Sequence, residues 1–388
     1  MSLRVAVVGG GIAGLAVAAL LGRRGHAVEV FERGSGPGGG AGLLLAPPAL
    51  ALLRALGLED AARAKGVLVT GLCAMQATGA NLLDWDVRRH GHECLGLGLE
   101  RRVLHALLLQ AASTLAVLHH ALGVDAIDAD AGWLQDSNGI FHGPYDLLVA
   151  CDGAGSRLRA GEPALVKHQQ RYTWTAFSCL MRSPADTPIH TTLTQTFHGA
   201  HHVSRWPVAQ ASGGGQTVCV SINVPAASVP QFSTTEHGIA ELQRLGLGVA
   251  LQPLQAAGPW IALSCRDVAL HRLYRRRLVF AGDAAHSLSP QLGQGARLAL
   301  AGAAHLDQAL SRHPLAEALA IYDRRQRRLA AGYQRWSRHL TPLFQSQCRS
   351  LCWLRDRALG PVSRLAPVER GLLRLLCGSP GAGERSAG

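Results

Sequence analysis

Hydrophobic residues in this chain fall into short blocks whose spacing changes along the sequence. Residues 5–8 form a β-branched apolar run, an alanine- and leucine-rich segment follows, and a second apolar run ends at Glu32. The change of period predicts a strand, a helix and a second strand, which together form a βαβ unit. Residues 146–151 and 278–281 are also apolar runs, so we expect them to be buried parallel strands.

The middle of the chain alternates between apolar and polar positions. This pattern extends from about residue 166 to 270 and is interrupted by turn sequences such as SGGG at 212–215. Alternation of this kind predicts a mixed or antiparallel sheet.

Helical patterns surround that region. After a glycine-rich loop at 34–42, residues 43–58 predict a helix whose start is marked by Pro47 and Pro48. Residues 99–122 predict a further helix followed by a short strand. Long helical patterns then run from residue 294 to the end of the chain.

The C-terminal region combines arginines with apolar residues. Residues 335–377 contain eight arginines against two acids, with Leu, Trp and Phe between them. We expect Pro342, Pro361 and Pro367 to divide this region into short helices. One interpretation is a face that touches a membrane. Packing onto the rest of the protein is favoured because the expected helices are short.

Three glycines follow the first predicted strand in the spacing GxGxxG. Gly9 suits the tight turn, Gly11 lets the backbone approach a pyrophosphate, and Gly14 lets the helix pack on the sheet. The N–H groups that open such a helix bind phosphate oxygens. Glu32 lies 18 residues after Gly14, close to the spacing of an acid that binds a ribose hydroxyl. An acid there favours FAD or NAD over NADP.

The same segment has a second interpretation. Residues 5–22 form an 18-residue apolar stretch of the kind found in a signal peptide or membrane span. The glycines inside it, and the second strand pattern directly after Arg23 and Arg24, favour the βαβ unit.

Composition limits the possible classes of protein. The 388 residues are enough for two or more domains, and 48% hydrophobic residues supply a core. The formal charge of +12 comes almost wholly from arginine, since Lys65 and Lys167 are the only lysines. No aromatic-interleaved basic motif accompanies this charge, so we expect no nucleic-acid partner.

Cysteine and histidine give no sign of a metal site. The nine cysteines are scattered, and only Cys348 and Cys352 stand close together, which matches no zinc spacing. We expect reduced thiols in a cytoplasmic protein. Histidine pairs such as His201 and His202 would point to opposite faces of a strand, which suits metal binding poorly.

Three separated motifs together resemble the single-component FAD-dependent aromatic hydroxylases, which include p-hydroxybenzoate, salicylate and ubiquinone-pathway hydroxylases. The motifs are GGGIAG at 9–14, CDGAGSRLR at 151–159 and AGDAAHSLSPQLGQGARLAL at 281–300. The resemblance covers most of residues 1–340. It implies a monooxygenase that uses FAD, NAD(P)H and dioxygen to hydroxylate an aromatic or polyketide-like small molecule through a flavin C4a-hydroperoxide.

The resemblance also assigns residues to the cofactor. Asp283 is expected to accept hydrogen bonds from the ribityl chain, while Gly282 leaves room for the cofactor. Arg101 matches an arginine that contacts it, and Asp152 with Gly153 matches the motif implicated in both FAD and NAD(P)H interaction. The full set of implied cofactor-binding residues is Gly9, Gly11, Ala13, Gly14, Glu32, Arg33, Arg101, Val124, Asp152, Gly282, Asp283, Gly295 and Ala296.

The catalytic loop implied by the resemblance contains Pro290, Gly293, Gln294 and Gly295. It opens a helix whose N-terminus points at the flavin pyrimidine edge, where its dipole would favour an anion by ~0.3–1 kcal/mol.

Two positions after this loop depart from the family pattern, because Arg297 and Gly302 replace the usual Asn and Asp. Arg297 is expected either near the pyrimidine edge, where it favours reduced flavin, or in solvent, where it has little effect.

The implied substrate pocket lies between the flavin and the sheet insert. Its candidate residues are Trp174, Phe197, His202 and Trp206, for which the alternative is a role in the core of the sheet.

The expected fold class is α/β: a Rossmann-type FAD-binding domain with an inserted mixed or antiparallel substrate sheet and C-terminal helices. The FAD domain is assigned to 1–70, 97–165 and 271–335, the substrate domain to 71–96 and 166–270, and the helical region with a flexible tail to 336–388. Two other functions stay open, namely an FAD oxidoreductase that inserts no oxygen and a non-catalytic flavin-binding homologue.

Overall fold

The computed structural model describes residues 2–36, 41–211, 213–263, 265–289, 292–345 and 348–377. Within these ranges the α-helices are α1 (Ile12–Arg23), α2 (Pro47–Ala55), α3 (Glu59–Lys65), α4 (Arg101–Ser113), α5 (Arg157–Ala160), α6 (Thr235–Arg244), α7 (Gly295–Leu310), α8 (Leu315–Phe344), α9 (Arg349–Ser363) and α10 (Ala366–Leu376). The strands are β1 (Arg4–Val8), β2 (Ala27–Glu32), β3 (Gly42–Leu45), β4 (Val67–Val69), β5 (Gly71–Gln76), β6 (Asn81–Asp86), β7 (Gly96–Glu100), β8 (Ala116–His120), β9 (Val124–Asp128), β10 (Trp133–Asp136), β11 (Phe141–His142), β12 (Leu147–Ala150), β13 (Val166–Arg171), β14 (Trp174–Arg182), β15 (Thr192–His198), β16 (His201–Gln210), β17 (Gln216–Pro225), β18 (Gln255–Ala256), β19 (Ile261–Leu263), β20 (Arg266–Leu270), β21 (Tyr274–Arg275) and β22 (Leu278–Phe280).

A six-stranded sheet forms the first layer of the structure, in the order β21-β22-β12-β1-β2-β8. Five of these strands run parallel, and only the short β21 is antiparallel to its neighbour. α1 connects β1 to β2, as the βαβ pattern predicts. The apolar runs at 5–8, 146–151 and 278–281 are therefore the buried parallel strands expected from the sequence, and the α/β fold class is confirmed.

A larger sheet forms the second layer, in the order β18-β14-β17-β16-β15-β5-β6, with β19 paired to β14. Its pairs are antiparallel except for β15 with β5, so the alternating region is a mixed sheet, as predicted. Its outer face is covered by α6 and holds an apolar core that includes Phe177, Val203, Val220 and Trp260.

Two predicted helices differ from the structure at their ends. Residues 43–45 belong to strand β3, and helix α2 begins at Pro47 as expected but ends at Ala55. Residues 99–122 contain the end of β7, the shorter helix α4 and the whole of β8. In the first case Leu43 pairs with Leu99 across an antiparallel ladder. Short apolar runs do not distinguish strand from helix until such a partner is known.

The prolines of the C-terminal region do not divide it as expected. Pro342 and Pro361 lie inside α8 and α9, and each helix continues two residues further. Pro367 is at the start of α10, where a missing N–H costs little. α8 is consequently 30 residues long. The predicted tail at 378–388 lies outside the described residues.

Residues 5–22 are not a membrane span, because they contain strand β1, its turn and most of helix α1. In the described part of the chain, no helix has both the length and the apolar character needed to cross a membrane.

Candidate active site

Four predicted site residues lie where parallel strands end. Gly9 follows β1, Glu32 ends β2, Asp152 follows β12 and Asp283 follows β22. Because these strands are parallel neighbours, their carboxyl ends meet at one edge of the sheet, which is where ligands bind in open α/β folds. The structure thus brings together residues that are far apart in the sequence.

The glycine turn has the geometry that its spacing predicts. Gly9 has φ +109°, and a Cβ there would lie 2.4 Å from the carbonyl oxygen of Cys151. A Cβ on Gly14 would lie 1.9 Å from the carbonyl oxygen of Gly9, so α1 packs closely only because this residue is glycine. Gly11 has no atom within 4 Å of that position. It leaves the N-terminus of α1 open.

Glu32 is held beside this turn by backbone donors. Its carboxylate accepts hydrogen bonds from the N–H of Gly10 at 2.5 Å and of Gly34 at 2.6 Å. Each carboxylate oxygen has a second acceptor position, which remains for a ribose hydroxyl. The neighbouring Arg33 contacts the chain at Gly123.

Gly282 and Asp283, together called the GD motif, connect strand β22 to the first helix. Gly282 has φ +60°, and a Cβ there would lie 2.6 Å from the Cβ of Ala13. Absence of a side chain at Gly282 therefore admits α1, a reason that the sequence did not suggest. Asp283 is exposed to solvent, yet the protein around it raises the pKa of its carboxyl through desolvation, while Arg101 and Arg159 oppose this. The carboxylate thus lies in a depression that solvent reaches and protein surrounds.

Asp152 and Gly153, together called the DG motif, include one carboxylate oxygen without a partner in the described chain. Asp152 Oδ2 accepts a hydrogen bond from the N–H of Arg157 at 2.9 Å, but its buried Oδ1 has no partner within the described chain. A buried acceptor in this state is costly unless a ligand or water satisfies it. Val124, also assigned to the cofactor, is buried at the start of β9.

Arg159 ends the segment CDGAGSRLR at 151–159, but no role for it was predicted from the sequence. Its fully buried guanidinium donates to the carbonyls of Ala154 at 2.6 Å and Ala284 at 2.8 Å, and to Gln169 Oε1 at 2.9 Å. Burial lowers its pKa. Arg159 therefore ties the DG loop to the GD loop from behind.

Helix α7 begins where the sequence predicts. Gln294 is its N-cap but makes no side-chain cap, and its Nε2 donates instead to the carbonyl of Leu292 at 3.1 Å. Gly293 and Gly295 are exposed, and no atom lies within 4 Å of a Cβ placed on Gly295. The first N–H groups of a helix have no partner inside it, so this end can bind an anion. Pro290 lies outside the described residues.

Arg297 does not occupy either expected position. It is 1% exposed, and its Nη1 donates to the hydroxyl of Tyr333 on α8 at 2.5 Å. The guanidinium also lies 5.0 Å from the centre of that ring. It points into the interface between α7 and α8, away from the side on which Gly295 and Ala296 are accessible.

A buried amide fills the space beside Gly302. Gln326 on α8 lies 3.3 Å from where a Cβ on Gly302 would be. Its Nε2 contacts Nε2 of His286 at 2.6 Å, and its Oε1 contacts Nδ1 of His305 at 2.9 Å. The pKa of His286 is lowered to about 4 by burial. This network occupies the place where the family pattern has an acid.

Trp206, Phe197 and His202 lie on the inner face of the large sheet, which is the face opposite α6, whereas the Trp174 ring lies 5.8 Å from the ring of His201. Trp206 is partly exposed, and its indole N–H donates to the carbonyl of Leu43 at 3.2 Å. Phe197 and His202 are buried, stack with centroids 5.2 Å apart, and are covered by Phe344. Burial lowers the pKa of His202 to about 4. Trp174 is 7% exposed.

A polar row beside Trp206 was missed by the sequence analysis. Gln195, Ser204 and Ser221 occupy neighbouring positions on β15, β16 and β17, and all three are partly exposed. Gln195 Nε2 donates to Ser204 Oγ at 3.3 Å. Alternation along β16 places Ser204 on the same face as Trp206, which was the available signal.

These features fit a bound dinucleotide. The open end of α1 suits phosphates, Asp283 suits ribityl hydroxyls, and the open end of α7 suits an anionic ring edge. Asp152, at the same edge of the sheet, adds a buried acceptor, Oδ1, that has no partner among the described residues. In the described ranges no three His, Cys, Asp or Glu residues form a metal-binding group.

Comparison with known proteins gives one family. The family described as "FAD binding domain" matches residues 2–336. The chain is 30% identical over 378 residues to 3-amino-4-hydroxybenzoate 2-monooxygenase of Streptomyces cremeus, which covers 92% of this chain and 91% of the relative. It is 29% identical over 364 residues to kynurenine 3-monooxygenase of Xanthomonas campestris pv. campestris (strain 8004), covering 84% and 76%. The fold of Klebsiella pneumoniae HpxO complexed with FAD superposes with a TM-score of 0.81 at 21% identity, over 98% of this chain and 100% of that one.

Proposed function

Because the chain belongs to the FAD-binding domain family and is an FAD-dependent monooxygenase of the aromatic-hydroxylase class, we propose that it hydroxylates a small aromatic ring that carries neutral polar substituents. The observation that carries this proposal is the row formed by Gln195, Ser204 and Ser221 next to Trp206. It offers amide and hydroxyl groups beside one aromatic surface.

The cofactor-binding residues have separate roles in this proposal. The N-terminus of α1 at Gly11 holds the pyrophosphate, Glu32 holds the adenosine ribose, and Asp283 holds the ribityl chain. Asp152 Oδ1, which has no partner among the described residues, accepts a hydrogen bond from the cofactor. FAD, reduced by NAD(P)H, supplies the activation of dioxygen.

Electrostatics at the flavin end come from helix α7. The uncapped N–H groups at Gly295 and Ala296 favour negative charge there by ~0.3–1 kcal/mol. Gly293, with φ +63°, adopts a backbone conformation that side chains disfavour. We propose that this turn holds the N–H groups open toward the flavin.

The substrate lies, in this proposal, between the polar row and the turn at Gly293. A Cβ on Gly293 would be 3.9 Å from the carbonyl oxygen of Leu44, and the indole of Trp206 donates a hydrogen bond to the carbonyl of Leu43. Strand β3 therefore lies beside both the turn at Gly293 and the polar row. The Streptomyces cremeus relative is named for 3-amino-4-hydroxybenzoate, a ring that carries an amino and a hydroxyl group, which supports a substrate of this kind. Phe197 and His202, which stack on each other and contact Phe344, form the packed wall behind the row.

Isotope incorporation tests the reaction. The FAD-loaded protein is supplied with NADH or NADPH, a panel of aminophenols and hydroxybenzamides, whose ring substituents are uncharged, and ¹⁸O₂. We expect one product to contain a single ¹⁸O atom. A product formed without ¹⁸O would identify an oxidoreductase that inserts no oxygen. Reduction of FAD with none of these substrates would contradict the proposed substrate class.

A variant of the polar row tests the location of the substrate. Ser204→Leu fills the row without changing the residues at the strand ends, so KM should rise at least ~10-fold through lost hydrogen bonds and blocked space. FAD affinity should stay as in the wild type. An unchanged KM would place the substrate elsewhere.

We also propose the division into an FAD domain at 1–70, 97–165 and 271–335, a substrate domain at 71–96 and 166–270, and a C-terminal helical region from 336. Sheet membership supports it, since β5 and β6 join β14–β19. A cytoplasmic location is supported by nine cysteines that are all thiols.

A further inference from the structure

A cavity lies on the outer face of the large sheet, the face that α6 covers. Its volume is about 110 Å³, whereas a cavity that holds one water molecule needs only ~10–15 Å³. The cavity therefore has room for a small organic molecule. Its walls come from β15–β17, from the loop that contains Thr187 and His190, and from residues 252–254.

Arg205 is the only cationic group, besides the titratable His190, among the residues that line this cavity. Its Nη1 donates to the carbonyls of Ala250 and Gln252, each at 3.1 Å. These two bonds fix the guanidinium, while its remaining nitrogens have no protein partner in the described ranges. Burial lowers the pKa of Arg205, so an anion nearby would stabilise its charged form.

The other lining groups also suit an anion. Thr187, Thr192 and Thr194 contribute hydroxyl groups, and no Asp or Glu lines the cavity. Leu254 and Val218 provide apolar walls. This combination of one fixed cation, hydroxyl donors and apolar surface matches a carboxylate attached to an apolar body.

Hydrogen bonds hold one wall of the cavity, the loop at 183–190, in place. Gln216, which is 2% exposed, accepts from the N–H of His190 at 2.8 Å and donates to its carbonyl at 3.0 Å. Ser183 Oγ accepts from the backbone N–H of Gln216 at 2.8 Å. The loop that closes the cavity is thus attached to β17 at two points.

This site is distinct from the proposed active site because of strand alternation. Ser204 and Trp206 project from the inner face of β16, and Arg205 between them projects from the outer face. Arg205 therefore lies on the other side of the sheet from the Ser204 side chain, and Trp206 is the one residue of the proposed active site that also lines the cavity.

We propose that this cavity is a second binding site, specific for a small organic carboxylate that pairs with Arg205. It is additional to the active site and does not depend on which substrate the active site takes.

Calorimetric titration with sodium benzoate tests the site in the FAD-loaded protein. Benzoate should bind, and neutral benzamide should bind at least ~10-fold more weakly, because a charge-assisted bond is lost. Arg205→Gln should weaken benzoate binding ~10–100-fold. Ser204→Leu, the adjacent residue on the opposite face, should leave this binding unchanged.

Hydrogen exchange in the wild type provides a measurement that needs no variant. Benzoate should slow exchange in residues 183–190 and 250–254. If Arg205→Gln does not fold, Thr194→Val replaces it as the test variant. We expect its affinity for benzoate to be ~2–10-fold lower than that of the wild type. The proposal is overturned if benzoate protects neither segment, or if its binding is lost in Ser204→Leu and kept in Arg205→Gln.

Discussion

The guanidinium of Arg159 donates a hydrogen bond to the carbonyl of Ala284 at 2.8 Å, across 125 positions of sequence. A second bond, to the carbonyl of Ala154 at 2.6 Å, attaches the same side chain to the loop after β12. One buried cation thus fixes the distance between the two loops that carry Asp152 and Asp283. The cofactor site depends on a residue that has no direct place in it.

Replacement of Arg159 should damage both folding and cofactor binding. Arg159→Gln leaves buried carbonyls without donors, and each such loss costs ~1–3 kcal/mol. We expect a lower Tm and an FAD Kd raised at least ~10-fold. Arg157→Gln is the matched control, since its side chain is 68% exposed and pairs with Asp125, 52% exposed. Equal FAD affinity in Arg159→Gln and Arg157→Gln would show that the loops position themselves without this residue.

Asp283→Ala should weaken FAD binding without unfolding the protein. The carboxylate is accessible, so its loss should not disturb core packing. If Asp283 binds FAD as proposed, ribityl hydroxyls left unpaired cost ~1–3 kcal/mol, or ~10–100-fold in Kd. Asp283→Asn retains an acceptor oxygen and should retain most of the affinity. An FAD titration followed by flavin fluorescence measures both, and a wild-type Kd in Asp283→Ala would remove the residue from the cofactor site.

Arg297→Asn should change stability more than the flavin reduction potential. The guanidinium is buried against Tyr333, and its replacement removes this hydrogen bond and leaves space beside the ring unfilled. Hydrogen bonds to charged groups contribute ~1.5–3 kcal/mol, so Tm should fall clearly. Spectroelectrochemical titration should give potentials within error of the wild type. A clear fall of the potential would place the charge at the flavin after all.

Gln326→Leu tests the network that stands beside Gly302. The variant leaves His286 and His305 without the amide, and the carbonyl of Leu298 without its donor at 3.0 Å. We expect a loss of ~1–3 kcal/mol in the free energy of unfolding. Gln308→Leu, an exposed position on α7, is the control. Similar stability of the two variants would mean that the network contributes little.

Acid should destabilise this protein partly through His202. Its pKa is about 4 in the folded chain and ~6.5 when unfolded. Between these two pH values the unfolded state binds the proton more strongly than the folded state. The contribution of neutral His202 to the free energy of unfolding is therefore fully present above pH ~6.5. It falls by up to about 3 kcal/mol as the pH drops toward 4. His202→Phe keeps the stacking partner for Phe197 and should flatten the fall of Tm over this interval.

His286 has the same direction of shift, so part of the acid sensitivity should remain in His202→Phe. His120→Asn, at an exposed position, should follow the wild-type curve. If His202→Phe also follows that curve, the protonation of His202 is not linked to unfolding.

Local rules were sufficient for the cofactor turn. Gly9 and Gly14 could be assigned from spacing alone because any Cβ at these positions meets backbone atoms of the same short unit or its adjacent strand. Asp283 could be placed at the strand end because its strand is buried and parallel, and the acid follows three residues after it. The helix ends were less certain, since Leu43 becomes part of a strand only when it meets Leu99.

The sequence by itself determined the parallel sheet, the glycine turn and the acids at the strand ends, because each follows from hydrophobic period and backbone sterics over a few residues. Only the tertiary structure decided the partners of Arg159, Arg297 and Gln326, which lie on other elements. It also decided which face of β16 packs under α6, and so placed Ser204 and Arg205 on opposite sides of the sheet. The physical reason is that a buried polar side chain is defined by the group that satisfies it, and that group is found through packing of distant segments rather than through spacing along the chain.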